Sequence, residues 1–281
     1  MGKKSRRKVK VVKEQMPYVA RTFQGLPGEC DLIAMREMVP SATATVKLAD
    51  SDRVVRLCSL LPGATSGLVR PDGEIWVGLQ VAHNFGDISR DLAHVIELGL
   101  ATEPGNPIAM SDPGVGPRLQ DLLDLSAPSA VEVHSGFDFW VAGTDDSEDT
   151  AAILESANET VDPTVRLSTV GAAYWTVIGG RTFLRWVMPQ DESDLLNALA
   201  RLHVRGESAL GEGNRLIGMF RAHALLVPVW ELPAGVSAAD VEGPAADFAE
   251  RLNETLADKA PLTGEERSAR NGLANRQLTI R

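Results

Sequence analysis

No apolar run in the 281-residue sequence approaches the roughly 20 residues that a membrane-spanning helix needs. The basic start leads to Glu14, Gln15 and Pro17 and never to the apolar core of a signal peptide, so a cytoplasmic location is expected. Cysteine is scarce: Cys30 and Cys58 stand alone, without a CxxC or Cys/His cluster, which excludes a disulfide framework and a zinc knuckle. The short motifs of phosphate and nucleophile chemistry are missing too. There is no GxxxxGK[ST] and no GxSxG, and the two Gly-x-Gly elements, Gly114 to Gly116 and Gly211 to Gly213, follow no strand with the rest of a dinucleotide fingerprint. They read as loops, and no cofactor is implied. Aromatic residues make up only 5% of the chain, and its only tyrosines are Tyr18 and Tyr174.

The sequence does hold enough apolar residues, 44%, to build a sizeable core in one large or two medium domains. Its charge is unevenly placed. Lys3, Lys4, Arg6, Arg7, Lys8, Lys10 and Lys13 form a cationic segment with no acid among the first thirteen residues, leaving 21 basic against 38 acidic groups, net −17, for the rest. Such a tail suits a polyanion, whether RNA, a ribosomal surface or an anionic lipid face, because each contact releases counterions. A solubilising role is the plainer alternative.

The most legible stretch is Gly171 to Val204. Ala172 to Ile178 and Arg181 to Met188 are rich in β-branched and aromatic residues, and Gly179-Gly180 between them suits a two-residue hairpin turn. Pro189 ends the ladder. Asp191, Glu192 and Asp194 then favour a helix start, with Leu195, Leu199 and Leu202 along one face. Looser copies of this strand, strand, helix unit recur, so the fold class is α+β, with antiparallel hairpins each followed by a helix in two related subdomains.

In chain order, the basic tail (1–15) gives way to an N-terminal α+β domain (16–103). A helix over Glu29 to Val39 precedes hairpins of 43–48 with 53–60 and of 67–70 with 74–82, and a helix capped by Asp87 follows. Four prolines and three glycines mark 104–117 as a linker. The C-terminal α+β domain (118–262) contains a short helix at 118–125, a hairpin of Val131 to His134 with Phe137 to Val141, and a helix opening at Asp145 to Asp149. After the central unit and a Gly-rich loop at 206–213 it continues with a hairpin of 216–221 and 224–231. A helix beginning at the Ser237/Asp240 capping box and restarting at Pro244 completes it. Residues 263–281 form an Arg-rich helix and tail, with a Thr263/Glu266 capping box and an end at Asn271-Gly272. Arg267, Arg270, Arg276 and Arg281 suit either docking on the acidic body or contact with a partner, while Leu278 and Ile280 resemble a terminal edge strand.

Trp76, Trp140, Trp186 and Trp230 fall on second strands of hairpins, and Trp175 on a first strand, a spacing compatible with a duplicated unit and with core anchoring. His83, His134 and His223 lie near strand ends, where a carboxylate beside them would allow acid–base or metal chemistry if they converged, although HxH and HExxH spacings are absent. Asp145, Asp146, Glu148 and Asp149 suit a helix N-terminus better than a cation site, lacking EF-hand spacing.

Three stretches resemble an uncharacterised actinobacterial family: FQGLPGECDLIAMREMVPSATATVKL from Phe23, LLVPVWELP from Leu225 and PLTGEERSARNGLANRQLTIR from Pro261. The resemblance covers almost the whole chain but implies no activity and transfers no functional residue. Some of its members carry the labels preprotein translocase or topoisomerase, which no Walker motif, zinc tail or catalytic tyrosine here matches. The expected function is a non-enzymatic interaction or scaffold protein with a basic tail and an unknown protein partner. The alternatives are a ribosome- or RNA-associated factor and an enzyme with a His/carboxylate pocket.

Overall fold

The computed structural model describes residues 17–82, 84–141 and 148–276. Its fold is α+β, with two sheets and helices that follow groups of strands. The first sheet contains β1 (Ala42–Val46), β2 (Val55–Cys58), β3 (Gly67–Val69), β4 (Ile75–Gly78), β5 (Pro107–Ile108) and β6 (Ala130–Val133), in the order β5-β3-β4-β2-β1-β6. β1 with β2 and β3 with β4 are the expected hairpins. β2 and β4 are parallel, Val55 opposite Ile75 and Cys58 opposite Gly78, because the chain crosses over through β3. Helix α2 (Ile88–Ala101) starts at Asp87, whose carboxylate accepts the Ser89 N–H. It approaches the sheet so closely that a Cβ at Gly99 would fall 2.6 Å from Ile75, and one at Gly67 2.7 Å from Val95.

The Pro/Gly-rich stretch 104–117 supplies β5, and α3 (Leu119–Leu122) and β6 beyond it return to the first sheet, so the change of sheet falls between β6 and β7. The expected pairing of 131–134 with 137–141 does not form. β6 instead pairs with β1, and Asp138–Val141 is a 3-10 turn that places Trp140 off any strand. Two long-range bonds hold that turn: Ser41 Oγ donates to the Gly136 carbonyl at 2.6 Å, and Asn158 accepts the Phe137 N–H at 2.7 Å. Phe137 stacks on Trp140 at 4.2 Å, and with Cys58, Leu61 and Trp76 they cover the outer face of the first sheet. α4 (Glu148–Asn158) packs there through Leu154 and Ala157.

The second sheet is wholly antiparallel: β7 (Thr164–Arg166), β8 (Ala173–Ile178), β9 (Arg181–Trp186), β10 (Arg215–Ala222) and β11 (Leu225–Leu232), in the order β10-β11-β9-β8-β7. Gly179 and Gly180 have φ of 56° and 76°, as the β8–β9 turn requires. Both faces of this sheet are buried, which explains why β11 reads LLVPVWEL rather than alternating. Leu225, Val227 and Val229 join a core with α1 (Glu29–Glu37) and the first sheet. Leu226, Trp230 and Leu232 join a second core with α5 (Glu192–Val204), α6 (Ala238–Ala257) and α7 (Gly264–Asn275). α1 thus lies between the two sheets.

Asp191, Ser237 and Thr263 cap α5, α6 and α7. α6 does not restart at Pro244 but runs through it. The burial of Val241, Ala245, Phe248 and Leu252 offsets the roughly 3 kcal/mol that an interior proline costs. Nor does α7 end at Gly272; it continues to Asn275 because Leu273 is buried against the core.

Candidate functional site

α1 is held to the second sheet by charge. Asp31, 9% exposed, accepts Arg166 in a bidentate pair at 2.8 and 2.9 Å and the Tyr174 hydroxyl at 2.7 Å. Burial, followed by the Asp31 charge, pushes the Tyr174 hydroxyl well above its ordinary pKa, so it stays a donor. At the C-terminal end of α1, Arg185 donates to the Met38 carbonyl at 2.7 Å. His223 Nε2 lies 2.9 Å from Glu37, which also has Arg36 Nε at 3.4 Å. That hydrogen bond is the main reason the Glu37 carboxyl lies below its ordinary range.

His223 occupies the β10–β11 turn with Ala224, at φ 48° and 63°. Two adjacent non-glycine residues in the left-handed region are strained, and the ring's contacts with Glu37 and with Phe23, at a centroid distance of 5.3 Å, hold the turn in place. His134 has other partners, Thr43 Oγ1 at 2.9 Å and the Phe139 ring at 4.7 Å, and burial lowers its pKa. The two histidines are thus used separately. His83 lies outside the described residues, as do Asp145 and Asp146. Among the described residues, no group of three His, Cys, Asp or Glu side chains is placed to hold a metal ion. Both thiols are free, and burial pushes Cys30 and Cys58 up to about 12.

The cationic residues Lys3, Lys4, Arg6, Arg7, Lys8, Lys10 and Lys13 lie outside the described residues, as do Arg281, Leu278 and Ile280. Arg267 stays exposed and donates to the Leu262 carbonyl just before its own helix, whereas Arg270 reaches across to Asn197 Oδ1 at 2.9 Å. Arg276 instead lines an open cleft of about 340 Å³ between α5 and α7, with His203, Glu265, Ser268, Gly272 and Leu273. Its carbonyl accepts the Met219 N–H of edge strand β10 at 3.1 Å.

A second open cleft, about 260 Å³, lies between the 168–171 loop and α6, with Trp186, Met188 and Leu252 among its lining residues. Glu242 on α6 grips that loop. Burial pushes its carboxyl up, but the Thr169 hydroxyl and the Ser168 and Thr169 backbone donors prevail and bring it down to about 2. Sequence reading passed over Asp31, Arg166 and Glu242, because each acts across a long separation; only the partner, not the spacing, marks them.

These features define a two-sheet α+β protein with a helix clamped between its sheets and open clefts on its outer helical layer. The chain belongs to the family described as Family of unknown function (DUF5926), whose pattern matches residues 22–281. No curated protein and no solved structure matches it. No helix among the described residues is long and apolar enough to cross a membrane.

Proposed function

We propose that this chain is a non-enzymatic interaction protein that docks a partner in the α5–α7 cleft. The lining of that cleft carries the reading. Ser268 and Gly272 keep the surface of α7 low, half-buried Ala269 offers apolar contact, and Arg276 and Glu265 supply opposite charges for orienting a peptide segment. The acid–base alternative names His83, His134 and His223; His83 lies outside the described residues, and His134 and His223 are engaged in separate contacts, with Thr43 and Glu37. A Cβ at Gly272 meets nothing within 4 Å, so Gly272→Phe fills the cleft without disturbing the core. In a tagged pull-down from native lysate with nuclease, this variant loses its protein partners while keeping the wild-type melting temperature. Retention of every partner refutes the docking site.

A second reading concerns the cationic segment. The Val19 N–H reaches the Gly86 carbonyl at 3.4 Å, and Tyr18 and Phe85, which precede these two residues, are 81% and 40% exposed. A cationic segment and exposed rings in one chain suit single-stranded RNA, including ribosomal RNA, through phosphate contact and base stacking. Deleting residues 2 to 13 abolishes ribosome co-sedimentation on this reading, and binding falls steeply with salt. Equal retention by the truncated chain at low and high salt refutes it.

A further inference from the structure

The 168–171 loop, between β7 and β8, is fastened to α6 by one side chain. Glu242 accepts the Ser168 N–H at 2.8 Å, the Ser168 hydroxyl at 3.0 Å, the Thr169 N–H at 2.9 Å and the Thr169 hydroxyl at 2.6 Å. Thr169 Oγ1 also lies 2.9 Å from the Glu242 backbone carbonyl. Four donors on one carboxylate make a clasp, and both hydroxyl-bearing residues are exposed. The clasp borders the 260 Å³ cleft: Thr169, Val170 and Gly171 line it on the loop side, and Ala249, Leu252 and Asn253 on the α6 side.

We propose that Thr169 is a phosphorylation site for a serine/threonine protein kinase, and that its modification releases the loop from α6 and widens this cleft. The γ-phosphoryl group of a nucleoside triphosphate passes to Thr169 Oγ1. The new P–O bond forms as the bond to the β–γ bridging oxygen breaks, the nucleoside diphosphate leaves with that electron pair, and the hydroxyl proton goes to the general base of the kinase. Phosphorylation removes the strongest donor of the clasp and replaces it with a group carrying close to two negative charges at neutral pH. The 2.6 Å contact with Glu242 then becomes a contact between anions. The hydroxyl suits the role because it is accessible and because its proton is what the clasp uses. The site is independent of the α5–α7 cleft.

Two measurements test this. The full chain carrying phosphothreonine at position 169, made by ligation or genetic encoding, is compared with the unmodified chain by hydrogen–deuterium exchange. Amides of 168–171 and of the first turns of α6 exchange at least tenfold faster in the phosphorylated chain, while β8, β9 and β11 are unchanged. In the Glu242→Gln chain the difference shrinks, because the repelling charge is gone. Unaltered exchange on phosphorylation overturns the proposal. Site use is read by incubating the purified chain with soluble lysate of its source cells and labelled ATP. Thr169→Val loses the label and Thr169→Ser regains it; equal labelling of wild type and Thr169→Val also overturns the proposal.

Discussion

Replacing Asp31 with alanine isolates the charge that holds α1 against the second sheet. The Tyr174 hydroxyl, on a residue with no exposed surface, is left without an acceptor, at a cost of about 1–3 kcal/mol for an unsatisfied buried donor. The Arg166 side chain is 30% exposed and recovers water, so its lost pair adds about 1 kcal/mol or less. The expected loss is about 3 kcal/mol, or roughly 6–10 °C in Tm for a chain of this size. Urea titration followed by tryptophan fluorescence measures it. Tyr174→Phe alone costs about 1 kcal/mol, because the bidentate Arg166 pair remains. The double variant is decisive: without a stranded hydroxyl, Asp31→Ala with Tyr174→Phe is more stable than Asp31→Ala alone by about 1 kcal/mol. Additive losses, or an Asp31→Ala penalty below about 0.5 kcal/mol, refute the clamp.

Ala224→Gly relieves one left-handed residue of the β10–β11 turn, at φ 63°, and raises stability by about 1 kcal/mol; thermal melting reads the gain. Cys30 and Cys58, both raised to about 12, resist an aromatic disulfide reagent at mildly alkaline pH until denaturant is added, and a fast phase in the folded chain contradicts this. His134 has its pKa lowered by burial, so the fold favours the neutral ring. Its contribution is present above the ordinary pKa of about 6.5 and is lost as pH falls through the folded value. His134→Gln, which keeps a donor for Thr43, flattens the stability difference between mildly acidic and neutral pH, and an unchanged slope rules the histidine out as its source.

Legibility followed sequence separation. The β8–β9 hairpin was readable because Gly179-Gly180 carries the turn geometry itself, and Asp87, Asp191, Ser237 and Thr263 were readable because a cap is satisfied within three residues. Phe137 to Val141 misled because its alternation suits a strand, whereas Ser41 and Asn158, distant in the chain, bend it into a turn. The β2–β4 pairing was equally hidden, since nothing between Cys58 and Ile75 distinguishes a parallel crossover from two adjacent hairpins. Of the candidate site, Arg276 was named from the charge of the last helix, but the cleft it lines depends on how α7 sits on α5. Asp31 was invisible, because a carboxylate in the first turn of a helix reads as dipole compensation until Arg166 and Tyr174 arrive.

The position of α1 has a consequence for synthesis. Residues 29–37 leave the ribosome well before their second covering, and the first sheet can cover one side of them, but the other side waits for β8, β9 and β11. At roughly 5–20 residues per second, that side stays uncovered for on the order of ten seconds or more. During this interval Asp31 lacks Arg166 and Tyr174 and Glu37 lacks His223, and the apolar side chains beside them are open to chaperones and to neighbouring nascent chains. Slowing translation upstream of Ala173 lengthens that exposure, and a chain released before Leu232 leaves a helix whose second covering never comes.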